Sequence, residues 1–340
     1  MSKEKNPVVP AKKGANVPRD FSDFAQKDAL FAPIMAEMTG IAAISGMAAH
    51  VTMKTKLPAL AARTMAACVA ACALLASLVL CAGVQPAAAQ GKLEAQYDAS
   101  LAGILVGKGA WNVEIGDDSY AASSVGGTSG LLKSIANGSG AGEAQGRVVA
   151  GALVPAYYKA STTTSKKSET IHITIAGGNV KEFGIDPEPP VDADRVPVTD
   201  AHKKGVLDPM TASLLRVPGT GDPVSPEACR GSASVFDGRL RYDLKLDYKR
   251  METVKSDRGY AGPVVVCAVY FLPIAGYIPD RPVIKYLAGA RNIEIAFAPI
   301  AGTRVLVPYR MVIPTPLGTA MLEATQFLTQ ATPPHVAKTQ

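Results

Sequence analysis

Apolar and polar residues alternate with a period of two along much of the chain after Leu93. Leu93, Ala95, Tyr97, Ala99 and Leu101 alternate with Glu94, Gln96, Asp98 and Ser100. Trp111, Val113 and Ile115 alternate with Asn112 and Glu114, and Ile171, Ile173 and Ile175 with His172 and Thr174. In 239–249 the apolar set is Leu240, Tyr242, Leu244, Leu246 and Tyr248. Its polar partner set is Arg239, Arg241, Asp243, Lys245, Asp247 and Lys249. A strand has this period, so each run is expected to bury one face and wet the other. Further strands are expected over 147–153, 262–272, 292–298, 303–313 and 318–328. Turn signals at Gly177-Gly178-Asn179, Asp237-Gly238, Ala301-Gly302 and Pro314–Pro316 separate several of them. Many such strands must curl into a barrel or a sandwich.

Helical signals are few. Asp208-Pro209 is a capping residue followed by Pro at the first helical position, and Met210 to Leu215 has room for two turns. A second short helix is expected over Gly130 to Ala136. The Pro-rich span Asp186 to Val198 reads as a long loop, and no internal repeat is visible.

Upstream, the pattern changes. Lys54, Lys56 and Arg63 precede an uncharged apolar stretch from Met65 to Ala82, which closes on Pro86 and Ala87-Ala88-Ala89-Gln90. That is the order of a secretory signal peptide starting near Met53, with cleavage expected after Ala89. Export to the periplasm follows. The competing reading is a membrane anchor, since 18 apolar residues just span a bilayer. Residues 1–52 are read as a disordered extension or as sequence upstream of the true start. Residues 90–330 form the domain, and 331–340 a disordered tail.

The leader also reshapes the charge argument. The chain carries 35 Lys+Arg and 29 Asp+Glu, a net +6. Removing residues 1–89 leaves 26 basic and 24 acidic residues, a net +2. Nucleic-acid binding, which wants a clustered basic face, is not indicated. Cys68, Cys72 and Cys81 leave with the leader, and Cys229 and Cys267 remain. In an oxidising compartment such a pair is most simply a disulfide, two buried thiols being the other reading.

No constellation for catalysis stands out. Gly126-Gly127 and Gly138-Ser139-Gly140-Ala141-Gly142 lack phosphate-loop spacing and read as turns around a short helix. Gly127-Thr128-Ser129-Gly130 lacks a nucleophile-elbow frame. His172, His202 and His335 are scattered, with no pair at metal-ligand spacing. Asp243 and Asp247 share one wet strand face with Lys245, as cross-strand charge pairs would. Asp237-Gly238-Arg239 reads as a turn requiring positive φ, with anion binding by Arg239 and Arg241 as the alternative. Trp111 is assigned to the core. No catalytic residue, cofactor or metal is expected.

Several segments, taken in order, resemble the bacterial domain-of-unknown-function 3108 family from about Leu93 to Phe327. They are Gly130-Leu131-Leu132, Val206-Leu207-Asp208-Pro209-Met210-Thr211-Ala212, and Cys229 with Val235-Phe236-Asp237-Gly238-Arg239. The last runs from Gly262 through Cys267 to Pro273-Ile274-Ala275-Gly276-Tyr277. That family is similar in turn to the periplasmic EipB group of cell-envelope integrity proteins. The resemblance implies a mainly β fold: one antiparallel curved sheet forming an open or spiral β-barrel, with one or two short helices. It also implies that Cys229 and Cys267 form the bridge. The implied role is non-enzymatic cell-envelope homeostasis, with a lipid or other hydrophobic ligand, a lipoprotein segment or an envelope protein as partner. Membrane association would be peripheral at most. The alternatives are a periplasmic hydrolase acting on envelope material and a purely structural assembly factor.

Overall fold

The alternating runs form strands of one meandering sheet in a computed structural model that describes residues 90–130, 133 and 137–332. The leader, residues 1–52, the tail from 333 and most of the helix expected over Gly130 to Ala136 lie outside the described residues.

The first half is an unbroken run of hairpins: β1 (Gly91–Leu101), β2 (Ile104–Ile115), β3 (Ser119–Thr128), β4 (Gly138–Val149), β5 (Ala152–Thr164), β6 (Ser168–Ala176) and β7 (Asn179–Asp186). The second half holds α1 (Pro209–Ala212), β8 (Leu215–Arg216), β9 (Gly231–Phe236), β10 (Arg241–Lys255) and β11 (Arg258–Gly259). It continues with β12 (Ala261–Ala275), α2 (Pro282–Gly289), β13 (Ile293–Pro299), β14 (Val305–Thr315) and β15 (Gly318–Ala331). The sheet order is β7-β6-β5-β4-β3-β2-β1-β15-β14-β13-β12-β10-β9, antiparallel throughout, with β8 added on β14 and β11 parallel on β15. The ladder does not close on itself; β7 and β9 are its two ends. The mainly β, open-barrel expectation therefore holds.

Two cores result. The alternating faces of β1, β2 and β6 supply Leu93, Trp111, Val113 and Ile173 to the first. Tyr242, Leu244 and Leu246 of β10 supply the second. Strand β12 serves both: Val264 to Val269 are buried without a break, Val264 and Val266 facing the first core and Val265, Cys267 and Val269 the second. Burial on both faces explains its continuous apolar run.

Four expectations need correction. The run 147–153 is not a strand but the β4–β5 hairpin. Ala150 and Gly151 turn it with φ of 49° and 74°, as a two-residue loop with left-handed backbone requires. Gly126-Gly127 and Gly138 to Gly142 are not turns; they lie within β3 and β4, where Gly126 pairs with Gly140 and Gly127 with Ser139. Tyr248 keeps the face of Leu244 and Leu246 but is 44% exposed, since the pairing with β9 ends at Leu246; the bulge that follows it, between Tyr248 and Arg250, then switches the faces of β10. The helix after Asp208 makes only one turn, since Leu215 must extend to pair with Leu306 of β14.

Candidate functional site

A barrel of this kind offers its interior as the first place to look for a ligand. Here a segment of the chain packs into both cores. Residues 206–217 run between the two cores. Val206, Met210 and Leu214 enter the first, and Ala212, Leu215 and Val217 the second. A helical turn buried this deeply needs its free amides satisfied from within. Asp208, fully buried, accepts the Thr211 N–H on Oδ1 at 2.8 Å. The Thr211 hydroxyl in turn meets the Tyr120 hydroxyl at 2.6 Å. Met210 lies against Gly142 of β4, where a Cβ would fall 2.8 Å from its Cε. Burial pushes the Asp208 carboxyl up from 3.8 to about 6, against the stabilising Thr211 hydrogen bonds. Its Oδ2 has no hydrogen-bond partner.

The same segment bridges the two ends of the sheet. Lys204 pairs with Asn179 at the start of β7, and Leu207 with Val235 of β9. Across this seam Phe183 and Phe236 stack edge to face with centroids 5.2 Å apart. The Asp237-Gly238-Arg239 turn seats here. Asp237 Oδ1 accepts the N–H groups of Arg239 and Leu240, both at 2.6 Å. Gly238 has φ of 96° and abuts Ile171, as the turn reading requires. Burial pushes the Asp237 carboxyl up to about 6, while those two amides and the nearby Arg239 and Arg195 charges pull the other way. The two arginines of the anion-binding alternative each bond a carboxylate: Arg239 bonds Glu169 at 2.5 Å and Arg241 bonds Asp243 at 2.7 Å.

The other residues singled out in the sequence serve locally. Cys229, on the one-turn helix Pro226–Cys229, bonds Cys267 at the centre of β12 with Cα atoms 5.4 Å apart. The His172 ring packs on Gly184, and His202 accepts the Thr199 N–H on Nδ1 at 3.2 Å. Asp247 pairs with Lys245 at 3.4 Å. Among the described residues no three His, Cys, Asp or Glu side chains gather as a metal site would need.

Sequence reasoning missed two surface features, because each joins residues from distant strands. One is a trough of about 370 Å³ where β1, β2 and β3 pass beside Thr325 of β15. Its floor includes the bare backbone of Gly109 and Gly126; Gln96, Val125 and the Asp98–Lys108 pair, 2.6 Å apart, line it. Val125 is 60% exposed. The other is the seam, where Arg195, on the loop after β7, donates to the Gly276 carbonyl at the end of β12.

The family model "Protein of unknown function (DUF3108)" matches residues 96–325. No curated protein matches the chain. Among solved structures, the chain is similar to a β-barrel-like protein of domain of unknown function DUF1849 from Brucella abortus, at 12% identity and a TM-score of 0.41. The match covers 72% of this chain and all of that one.

Proposed function

The chain belongs to the DUF3108 family, and from that premise we propose that it is a non-enzymatic periplasmic protein of cell-envelope homeostasis that acts by binding on its outer surface. The observation that carries the reading is the burial of residues 206–217 in both cores. Residues 206–217 occupy the space in which a small barrel would hold a ligand. The buried carboxyls of Asp208 and Asp237 are used to hold main-chain amides. Binding is therefore assigned to the outside, and the trough beside Val125 is its candidate, with a lipid-bearing or protein component of the envelope as partner. A bridge buried in the core is at home in an oxidising compartment. The leader-like order of 53–89 agrees with that compartment. Among the described residues no helix is long and apolar enough to cross a membrane.

Cell fractionation with thiol labelling tests the compartment, and a photoreactive residue at Val125 tests the face. The expected outcome is protein in the periplasmic fraction with Cys229 and Cys267 unreactive, cross-linked from Val125 and not from Asp247. Cytoplasmic protein with both thiols free would overturn the reading.

A further inference from the structure

Neighbouring hairpin ends line up along one end of the sheet. The Ala102-Gly103 turn between β1 and β2 abuts the Pro316-Leu317 turn between β14 and β15. The Ala102 N–H donates to the Thr319 carbonyl at 2.9 Å, and a Cβ on Gly318 would lie 2.7 Å from the Ala102 Cβ. The β3–β4 connection joins next, its Ser129 N–H donating to the Val106 carbonyl at 2.9 Å. At the far side of that connection, the Asn137 carbonyl accepts the N–H of Ser165 in the β5–β6 turn at 3.2 Å.

Two properties of this rim go beyond what its turns require. Turn positions favour Gly, Asn, Asp and Ser, yet Ile104 is 56% exposed and Leu317 43%. Neither belongs to a core. The Leu317 turn is closed by its neighbours: Thr315 Oγ1 accepts the Leu317 N–H at 3.2 Å and donates to the Gly318 carbonyl at 2.6 Å. The second property is charge. Residues 101–104, 129–137, 164–168 and 315–318 hold three lysines, Lys133, Lys166 and Lys167, and no acid. Lys133 and Lys166 are exposed, and among the described residues neither makes an ion pair. Lys167 pairs with Glu169, whose side chain is only 14% exposed. Asp186 and Glu188 bound the basic stretch beyond β6. The opposite end of the sheet has the other sign. Its β2–β3 turn carries Asp117 and Asp118, and its Arg304 is held by the carbonyls of Val217, Pro218 and Gly221.

We propose that this rim seats on an anionic lipid surface, with Ile104 and Leu317 entering the boundary between headgroups and acyl chains and the three lysines meeting lipid phosphates. Apolar side chains flanked by cations hold a peripheral protein at such a surface, because burial and charge attraction add. The rim shares no residue with the lining of the trough, so its failure would leave the reading of that face standing.

Tryptophan quenching by vesicles of brominated phosphatidylglycerol tests it on the protein isolated from its cells. The native Trp111 is buried in the first core and supplies a constant background. Ile104→Trp lies outside both cores and should be quenched, with its emission moved to shorter wavelength. Val149→Trp, at a position 48% exposed at the opposite end, should not be. Sedimentation with phosphatidylglycerol vesicles should weaken about fivefold for each of Lys133→Gln and Lys166→Gln, the scale of one lysine at an anionic surface. Leu317→Asp should weaken it about tenfold or more. Added salt and phosphatidylcholine vesicles should both reduce binding. Equal quenching of the two tryptophans, quenching of neither, or undiminished sedimentation of the Lys133→Gln/Lys166→Gln double variant overturns the proposal. Self-association that depends on Leu317, without vesicle binding, would assign the rim to a second copy and overturn it as well.

Discussion

Replacing Cys229 and Cys267 together with alanine removes the covalent tie between the turn that precedes β9 and the centre of β12. The two cysteines are 38 residues apart. The chain-entropy model gives a loop of that size about 4 kcal/mol, through the freedom it denies the unfolded chain. Both side chains are fully buried in the second core, so the lost sulfur volume adds to the loss. With a urea m-value of about 3 kcal/mol/M, a loss of about 4 kcal/mol lowers the unfolding midpoint by about 1.3 M. Reduction of the unmutated protein tests the same term with the sulfurs kept in place. Hydrogen exchange should show the span from Pro226 to Phe236 opening first, because β9 is an end strand with a full ladder only to β10 and a single bridge to Leu207 on its other side. A double variant that loses less than about 1 kcal/mol would refute this reasoning. It would mean that the unfolded chain is no freer without the bridge.

Asp208 binds its proton near pH 6 when folded, against 3.8 ordinarily. A raised carboxyl stabilises the fold as pH drops through that window and withholds the contribution above it, by about 3 kcal/mol for two units. Asp208→Asn should therefore gain stability over the parent at pH 7 and little at pH 4; parallel midpoint-versus-pH curves would contradict this. Met210→Ala empties a buried position between the strut and Gly142 and should cost about 2–5 kcal/mol in urea unfolding; a loss under 1 kcal/mol would show that the strut is loosely packed. Gly276→Ala meets both a φ of 82° and the Arg239 carbonyl, and should prevent stable folding. Gly103→Ala, at φ of 80° with nothing within 4 Å, should cost only about 1–2 kcal/mol. Equal melting temperatures for the two variants would show that the Gly276 contact is not decisive.

Legibility in the sequence followed side-chain size and local pairing. Strand β10 declared itself because large apolar residues alternate with charges on an exposed face. Strands β3 and β4 did not, since Ser, Ala and Gly carry no amphipathic signal even when paired along their whole length. The Ala150-Gly151 turn hid inside an apolar run, although Ala102-Gly103 makes a similar turn at φ of 50° and 80° between β1 and β2. The Asp208 cap and the Asp237 turn were legible because each bonds amides within three residues. The seam was not: Arg195 and Gly276 come together only through the return of β12 past the β9–β10 turn. Helix α2 was missed because its eight residues show little beyond a proline at the start.

The most direct test of binding without catalysis is complementation of a strain lacking this gene. The chain to introduce carries His172→Ala, His202→Ala, Asp243→Asn and Asp247→Asn together, with folding and export verified by disulfide oxidation. The account predicts full restoration of envelope integrity, because those side chains pack, cap or pair at the surface. Loss of restoration by a folded, exported and oxidised variant would contradict it.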